Sequence, residues 1–333
     1  MSIPRPLAIA LWPLSLVYGS AAKLRAWLYK QGWLKQKRLN RPVISVGNIT
    51  VGGTGKTPMV IWLAEKLLAE GKHVAILSRG YRGTNGTSDE IELMKQRLQG
   101  RVQFGVGSDR YAEAQRLDAS GVDVYLLDDG FQHLQLARDV DIVLLDSTRP
   151  LQQEFLLPAG RLREPPSALT RATAIVFTRT NQSQFTSARV PGFPKFSAYS
   201  AGTKLLGFRT HESDRQEPLR DSLTGAHFAF CGIGNPDAFF ADLQRWGVQL
   251  AGRRAFRDHH RYSQTEIAAL QHAAKSAGAI ALVTTEKDAQ NLKHAVLSDL
   301  SIEVAVASIE IANESEFLRD LRSKLPAAVG VFA

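Results

Sequence analysis

The sequence predicts an α/β protein. A parallel sheet carrying a phosphate-binding loop (P-loop) is flanked by helices, a second, smaller α/β domain follows, and a membrane-associated helix leads the chain. Three observations predict this. Short apolar runs of strand length alternate with stretches of helical apolar spacing, the rhythm of a parallel sheet with crossover helices. One such run passes through a Gly-rich turn into a lysine and then a helix. The same rhythm resumes beyond a segment rich in Pro, Gly and Ser at residues 190–204. The expected boundaries are 1–35 for the membrane-interface segment, 36–190 for the P-loop domain, 191–225 for a linker and 226–333 for the smaller domain.

Residues 6–22 (PLAIALWPLSLVYGSAA) carry no charge. As a spanning helix the run is at the short limit, with Pro13 interrupting it. As a signal peptide it has Arg5, an apolar centre and small residues near its end. As an interfacial helix it continues through KLRAWLYKQGWLKQKR, where Lys23, Arg25 and Lys30 accompany Leu24, Trp27 and Leu28. A core-packing helix is the plain alternative.

Residues 43–47 (VISVG) read as a buried strand, followed by NITVGGTGKTP and the helical MVIWLAEKLLAE, closed by Gly71. Gly52, Gly53 and Gly55 let backbone N–H groups approach phosphate oxygens, and the helix N-terminus adds its dipole. Lys56 reaches the β- and γ-phosphates, and the Thr57 hydroxyl is the expected Mg²⁺ contact. The cradle thus runs through Thr50, Gly52, Gly53, Thr54, Gly55, Lys56 and Thr57. The strict pattern wants glycine where this chain has Thr50.

HVAILS (73–78) reads as a second strand running into a loop in which Arg79 and Arg82 are anion candidates. VDVYLLDDGFQH (122–133) is an apolar strand ending in Asp128 and Asp129, the place of a Mg²⁺-associated carboxylate beside a P-loop strand. Neighbours on a strand point oppositely, so both face the metal only if the strand has ended. DVDIVLLDS (139–147) and ATAIVFTRT (172–180) are further strands. Asp89 and Glu90 open a helical segment, where Ser88 or Asp89 would serve as an N-cap. Arg161, Arg163 and Arg171 lie in a Pro-rich loop, either solvated or facing an anion. AHFAFCGIGNP (226–236) is strand and glycine turn, with G-x-G too little for a second nucleotide site. TTEKD (284–288) is a charged strand end or a helix start with a capping threonine.

The 44% apolar and 22% charged composition is that of a folded globular protein. With 41 Lys and Arg against 32 Asp and Glu, the charge of +9 favours anionic partners. No RNP-like, zinc-finger or basic-helix pattern is present, which makes nucleic acid the weakest of them. A single cysteine, Cys231, excludes an intramolecular disulfide and a Cys-based metal site.

GGTGKTP, SRGY, DDGFQH, LREP, DHH and TTEKDA in this order resemble the tetraacyldisaccharide 4′-kinase family, the lipid A 4′-kinases. The resemblance runs from about residue 40 to about 295. It implies transfer of the ATP γ-phosphoryl group, with Mg²⁺, to the 4′-hydroxyl of an acylated disaccharide 1-phosphate. It also implies work at the cytoplasmic face of the bacterial inner membrane, and two domains joined by a strand linker with the active site between them. It places the catalytic aspartate at Asp89, Glu90 near the metal, metal-associated carboxylates at Asp128 and Asp129, and a catalytic histidine at His259, with His260 beside it. The family usually has Gly where this chain has Ser88, and Pro where it has Arg161. On this reading Asp89 accepts the sugar proton and His259 orients it, while Lys56 and Mg²⁺ offset phosphate charge. An NTPase without a phosphorylated product, or a scaffold with a degenerate nucleotide site, are the rival readings.

Overall fold

The computed structural model describes residues 5–80, 88–151, 154–182, 197–211, 217–292 and 300–326. Arg82 and the 190–196 part of the expected linker lie outside them. Among the described residues eleven strands form one sheet. The first group, in spatial order, is β3 (Gln103–Val106), β2 (Val74–Ser78), β4 (Val124–Asp128), β1 (Val43–Gly47), β5 (Val140–Asp146), β6 (Ala174–Thr178) and β7 (Ser197–Thr210). All pairs within it are parallel. The second group is β11 (Ile302–Ile311), β10 (Ala281–Thr285), β8 (Ala226–Cys231) and β9 (Gln249–Ala255), again parallel internally. β7 joins the groups by pairing antiparallel with β11 across a bulge.

Part of the predicted linker is therefore a long strand. Its alternating burial, set by one packed face, is weak in composition because Gly and Ser occupy it. The helices follow from apolar periodicity. α2 (Lys56–Ala69) buries Met59, Leu63 and Leu67 against the sheet, and α3 (Asp89–Leu98) buries Ile91, Met94 and Leu98 beside it. α4 (Arg110–Asp118) covers the opposite face. In the second half α5 (Pro236–Arg245) and α6 (Gln264–Ser276) sit in separate apolar clusters on the two faces of the β8–β10 region. A short α7 (Glu286–Gln290) follows β10 directly, capped by the Thr285 side chain on the Asp288 amide. The C-terminal α8 (Glu314–Lys324) crosses back, with Phe317 and Leu321 in the first core against Trp62 and Tyr199. A boundary at 226 thus leaves α8 packed with the half that precedes it.

The first helix, α1 (Arg5–Lys30), continues through Pro13, which was expected to interrupt it. One proline removes a single backbone rung, and the remaining rungs hold the turn together. Large apolar residues stand exposed around it, Ile9 at 74%, Val17 at 69% and Trp12 at 51%. Only the small residues Ser15 and Gly19, one turn apart, are buried, docked on the 155–159 loop through Ser15 Oγ to Leu156 O at 2.9 Å. By length and composition the segment Pro6–Lys30 suffices to cross a membrane.

Candidate active site

The phosphate loop is assembled by strand β1, its turn and the start of α2. Asn48, fully buried, donates to Thr54 Oγ1 at 3.0 Å and fixes the turn from inside. Gly52 at φ 109° and Gly55 at φ 90° take conformations that a side chain strains, and Gly55 immediately precedes Lys56 at the helix start. Thr50 departs from the strict motif for a visible reason. It is not left-handed; it pairs antiparallel with Leu162. The flanking bonds run from Val51 N to Arg161 O at 2.8 Å and from Arg163 N to Ile49 O at 2.7 Å. Arg161, where the family pattern has proline, uses its side chain to donate twice to Val51 O and once to Glu154. It braces the loop from behind. Arg171 is likewise committed, to Glu164 and over the Phe131 ring.

The two aspartates after β4 divide their work. The strand ends at Asp128, and Asp129 turns into the left-handed region at φ 49°, so both line the cleft. Asp129 accepts two bonds from Arg163 and lies 3.5 Å from the Lys56 ammonium. Burial alone would raise its proton affinity, but the two cations outweigh burial and hold it ionised. Asp128 is 3% exposed and accepts from the Ser78 hydroxyl at 3.2 Å. Burial, then the nearby charges of Glu90 and Asp129, push its pKa up to about 7. A buried carboxylate facing two like charges suits a cation. Among the described residues no three acidic, His or Cys groups close on one point, so any metal here needs ligands from elsewhere, such as phosphate oxygens.

Across the cleft, Ser88 caps α3 by accepting from the Ile91 amide at 3.3 Å. The cap reading therefore falls to Ser88, and the largely buried Asp89 side chain turns to His259. Its carboxylate meets His259 Nδ1 at 2.9 and 3.0 Å. His259 sits after β9 at φ 61°, held by its own amide on Gly232 O at 3.1 Å. Burial works against the Asp89 charge, but the His259 hydrogen bond and the Lys287 charge together hold its carboxyl below the usual range. Asp89 in turn raises His259, against burial and Lys287. His260 points away, bonded to Glu266 at 3.0 Å and stacked on Phe256, in a structural position.

Residues that carried no role in the sequence complete the site. Lys287, in the first turn of α7, touches the acidic pair. Arg110 is buried beside His133 Nδ1 at 3.3 Å. Burial and the Arg110 and Arg138 charges push His133 down to about 4, so it is neutral near pH 7. Arg149 ties the halves together, donating to Gly234 O at 3.0 Å and Asn235 Oδ1 at 3.2 Å, while Arg179 braces the first half from within, reaching Gly53 O at 3.0 Å and Asp146 at 2.6 Å. The turn at Gly234 lies directly on the phosphate loop, where a Cβ would strike the Gly53 amide. One cleft of about 1080 Å³ collects the phosphate loop, Asp128, Asp129, His259 and Lys287, with Tyr18 and Arg25 of α1 at its rim and Arg79, Arg110 and Arg163 in its lining.

The tetraacyldisaccharide-1-P 4′-kinase family model matches residues 7–326. The tetraacyldisaccharide 4′-kinase of Geobacter metallireducens is 43% identical over 321 residues, covering 90% of this chain and 92% of that protein. The one from Pelobacter propionicus is 39% identical, covering 87% and 85%. In three dimensions the chain is similar to the "apo" form of LpxK from Aquifex aeolicus in complex with ATP, with a TM-score of 0.75 and 28% identity over 96% of this chain and 100% of that one. With a phosphate loop and the Asp89-bonded His259 lining one cleft, the chain belongs to the tetraacyldisaccharide-1-P 4′-kinase family.

Proposed function

We propose that this protein transfers the γ-phosphoryl group of ATP to the 4′-hydroxyl of a tetraacylated glucosamine disaccharide 1-phosphate, working at the cytoplasmic face of the inner membrane. The single observation that carries this reading is His259, hydrogen-bonded to the Asp89 carboxylate and lining the same cleft as the phosphate loop. A phosphate loop alone suits any NTPase; a buried, ionised carboxylate opposite it suits an alcohol acceptor.

The division of labour follows from the contacts. Gly52, Gly53, Thr54 and Gly55 offer backbone amides to the phosphates, with Thr50 bracing the turn. Lys56 leaves Asp129 for the β- and γ-oxygens, and Asp129 with Arg163 keeps the ammonium positioned until they arrive. Thr57 and Asp128 would hold Mg²⁺. Bound there, the ion would offset charge on the transferring group. Asp89 accepts the proton of the 4′-hydroxyl as the new O–P bond forms and the bond from the γ-phosphorus to its bridging oxygen breaks, releasing ADP. Glu90, 3.9 Å from Lys287, supports the acidic wall.

Arg25, Arg79 and Arg110 near the α1 rim suit the acceptor's own phosphate. The acyl chains stay in the bilayer beside the exposed apolar surface of α1, which brings the site to them. The chain works as two lobes joined through β7, with α8 packed on the first.

The test is incubation of the full chain with γ-labelled ATP, Mg²⁺ and acylated glucosamine disaccharide 1-phosphate in detergent. Label is expected in the lipid. Release of inorganic phosphate alone, indifferent to lipid, overturns the reading in favour of an NTPase.

A further inference from the structure

Lys287 occupies an unusual position for a lysine. Its side chain is 18% exposed, and its ammonium lies 3.0 Å from Asp258, 3.3 Å from His259 Nε2 and 3.9 Å from both Asp89 and Glu90. The backbone puts it there. Thr285 caps α7 immediately after β10, and Asp288 is fixed by Thr285, the Gly232 amide and the Tyr262 hydroxyl. The intervening first turn of α7 therefore delivers Lys287 to the Asp89 side of the cleft.

The imidazole of His259 is thus held at both ends. At Nδ1 it meets a carboxylate, which can only accept a hydrogen bond when ionised. At Nε2 it meets an ammonium, which can only donate. One tautomer satisfies both contacts: a proton on Nδ1, donated to Asp89, and a lone pair on Nε2, accepting from Lys287. We infer that Lys287 is a positioning residue that pins His259 as the neutral, Nδ1-protonated tautomer and so leaves Asp89, and not the imidazole, as the group that takes the substrate's proton.

This rests on the kinase reading above and sharpens it. In that arrangement the histidine has no free lone pair facing the acceptor, so it orients and polarises the carboxylate. The charged groups around the ring are Asp89 and Glu90 from α3, Lys287 from α7 and Asp258 from its own turn, with Nε2 3.9 Å from the Asp258 carboxylate. Three carboxylates favour a doubly protonated ring, and one ammonium opposes it. Burial works against the Lys287 charge, but the three carboxylates outweigh burial and keep it protonated. Without that charge the ring would hold a second proton on Nε2, and the resulting imidazolium would stabilise ionised Asp89 at the expense of its basicity.

The experiment uses the full-length protein labelled with ¹⁵N-histidine, without nucleotide, at pH 8, with the His259 signals identified by their loss in His259→Asn. Wild type and Lys287→Arg should show a lone-pair-type Nε2 shift, and Lys287→Met a protonated one. In turnover, Lys287→Met should lower kcat at least tenfold, leave the KM for ATP within about twofold, and move the acid limb of the kcat profile up by about one pH unit. Lys287→Arg, also a cationic donor, should restore most of both. A protonated Nε2 in the wild type overturns the inference. So does a Lys287→Met enzyme whose pH profile has not moved, or one that Lys287→Arg does not improve upon, since a lysine that merely packs α7 would behave so. If Lys287→Met does not fold, the wild-type spectrum decides. Nitrogen shifts need no acceptor lipid, so failure of the kinase assay and failure of the tautomer assignment are separate results.

Discussion

The two walls of the cleft are built in different ways. The phosphate wall is one continuous segment, residues 48–57, whose strand, turn and helix start are neighbours in sequence. The opposite wall is gathered from Asp89 on α3, His259 after β9 and Lys287 on α7, the first two 170 positions apart in sequence. A contiguous loop holds its shape by its own backbone and by bonds such as Asn48 to Thr54. A gathered cluster exists only when the two strand groups sit together. Lesions in the first wall should therefore damage nucleotide binding and chemistry together, and lesions in the second should damage chemistry alone.

The largest expected effect tests that division directly. Lys56→Met removes the ammonium from the phosphates and should cost roughly 10³-fold in kcat/KM, with weaker ATP binding. Asp89→Asn should lower kcat by about 10²- to 10⁴-fold while ATP affinity, read by calorimetry, stays within about threefold. Equal loss of binding and turnover in Asp89→Asn would mean that the aspartate shapes the nucleotide site, and the comparison would fail.

A smaller effect is expected where the walls touch. Gly234 belongs to the second half but lies on the phosphate loop, with no room for a Cβ against Gly53. Gly234→Ala must push the halves apart or strain the loop, a cost of about 1–3 kcal/mol. Turnover should fall about ten- to a hundredfold, because small displacements at a reacting centre are expensive. Far-ultraviolet circular dichroism should be unchanged, since no strand or helix is lost. Unaltered turnover would show that the contact is incidental to catalysis.

The same division explains what the sequence made legible. β1, β4, β5 and β6 lie within a residue or two of their expected runs, because buried parallel strands announce themselves as unbroken apolar segments. The phosphate loop was legible for the same local reason. Asp89 and His259 entered through the family pattern, since nothing local tells a cap-adjacent aspartate or a turn histidine from a structural one. Lys287 and Arg110 carried no role because their meaning lies in distant partners, and Asp288 and Thr285 must first fold α7. Composition read β7 as linker, its glycines and serines hiding a pairing that β11 supplies, and only the family resemblance implied a strand there. For a spanning helix Pro13 counted as an interruption because the rule for proline was weighed without the rungs on either side.

The smallest expected effect separates the walls by pH. His133 follows the phosphate-side aspartates, and burial with the Arg110 and Arg138 charges lowers it to about 4, against 6.5 unperturbed. Between these values the unfolded chain binds a proton that the folded chain refuses. Unfolding is then favoured by protonation, so stability present above about pH 6.5 is lost as pH falls toward 4. Allowing for partial exposure, the contribution is roughly 1–2 kcal/mol. Urea unfolding of wild type and His133→Gln at pH 7.5 and pH 5 should show the difference between them shrinking or reversing at the lower pH, because glutamine has no proton to gain. His259 should act oppositely. Its affinity is raised by Asp89, so the stability it contributes is fully present below about 6.5 and is lost as pH rises through its folded value. Parallel shifts of the two histidine variants with pH would mean that the electrostatic contrast between the walls is absent.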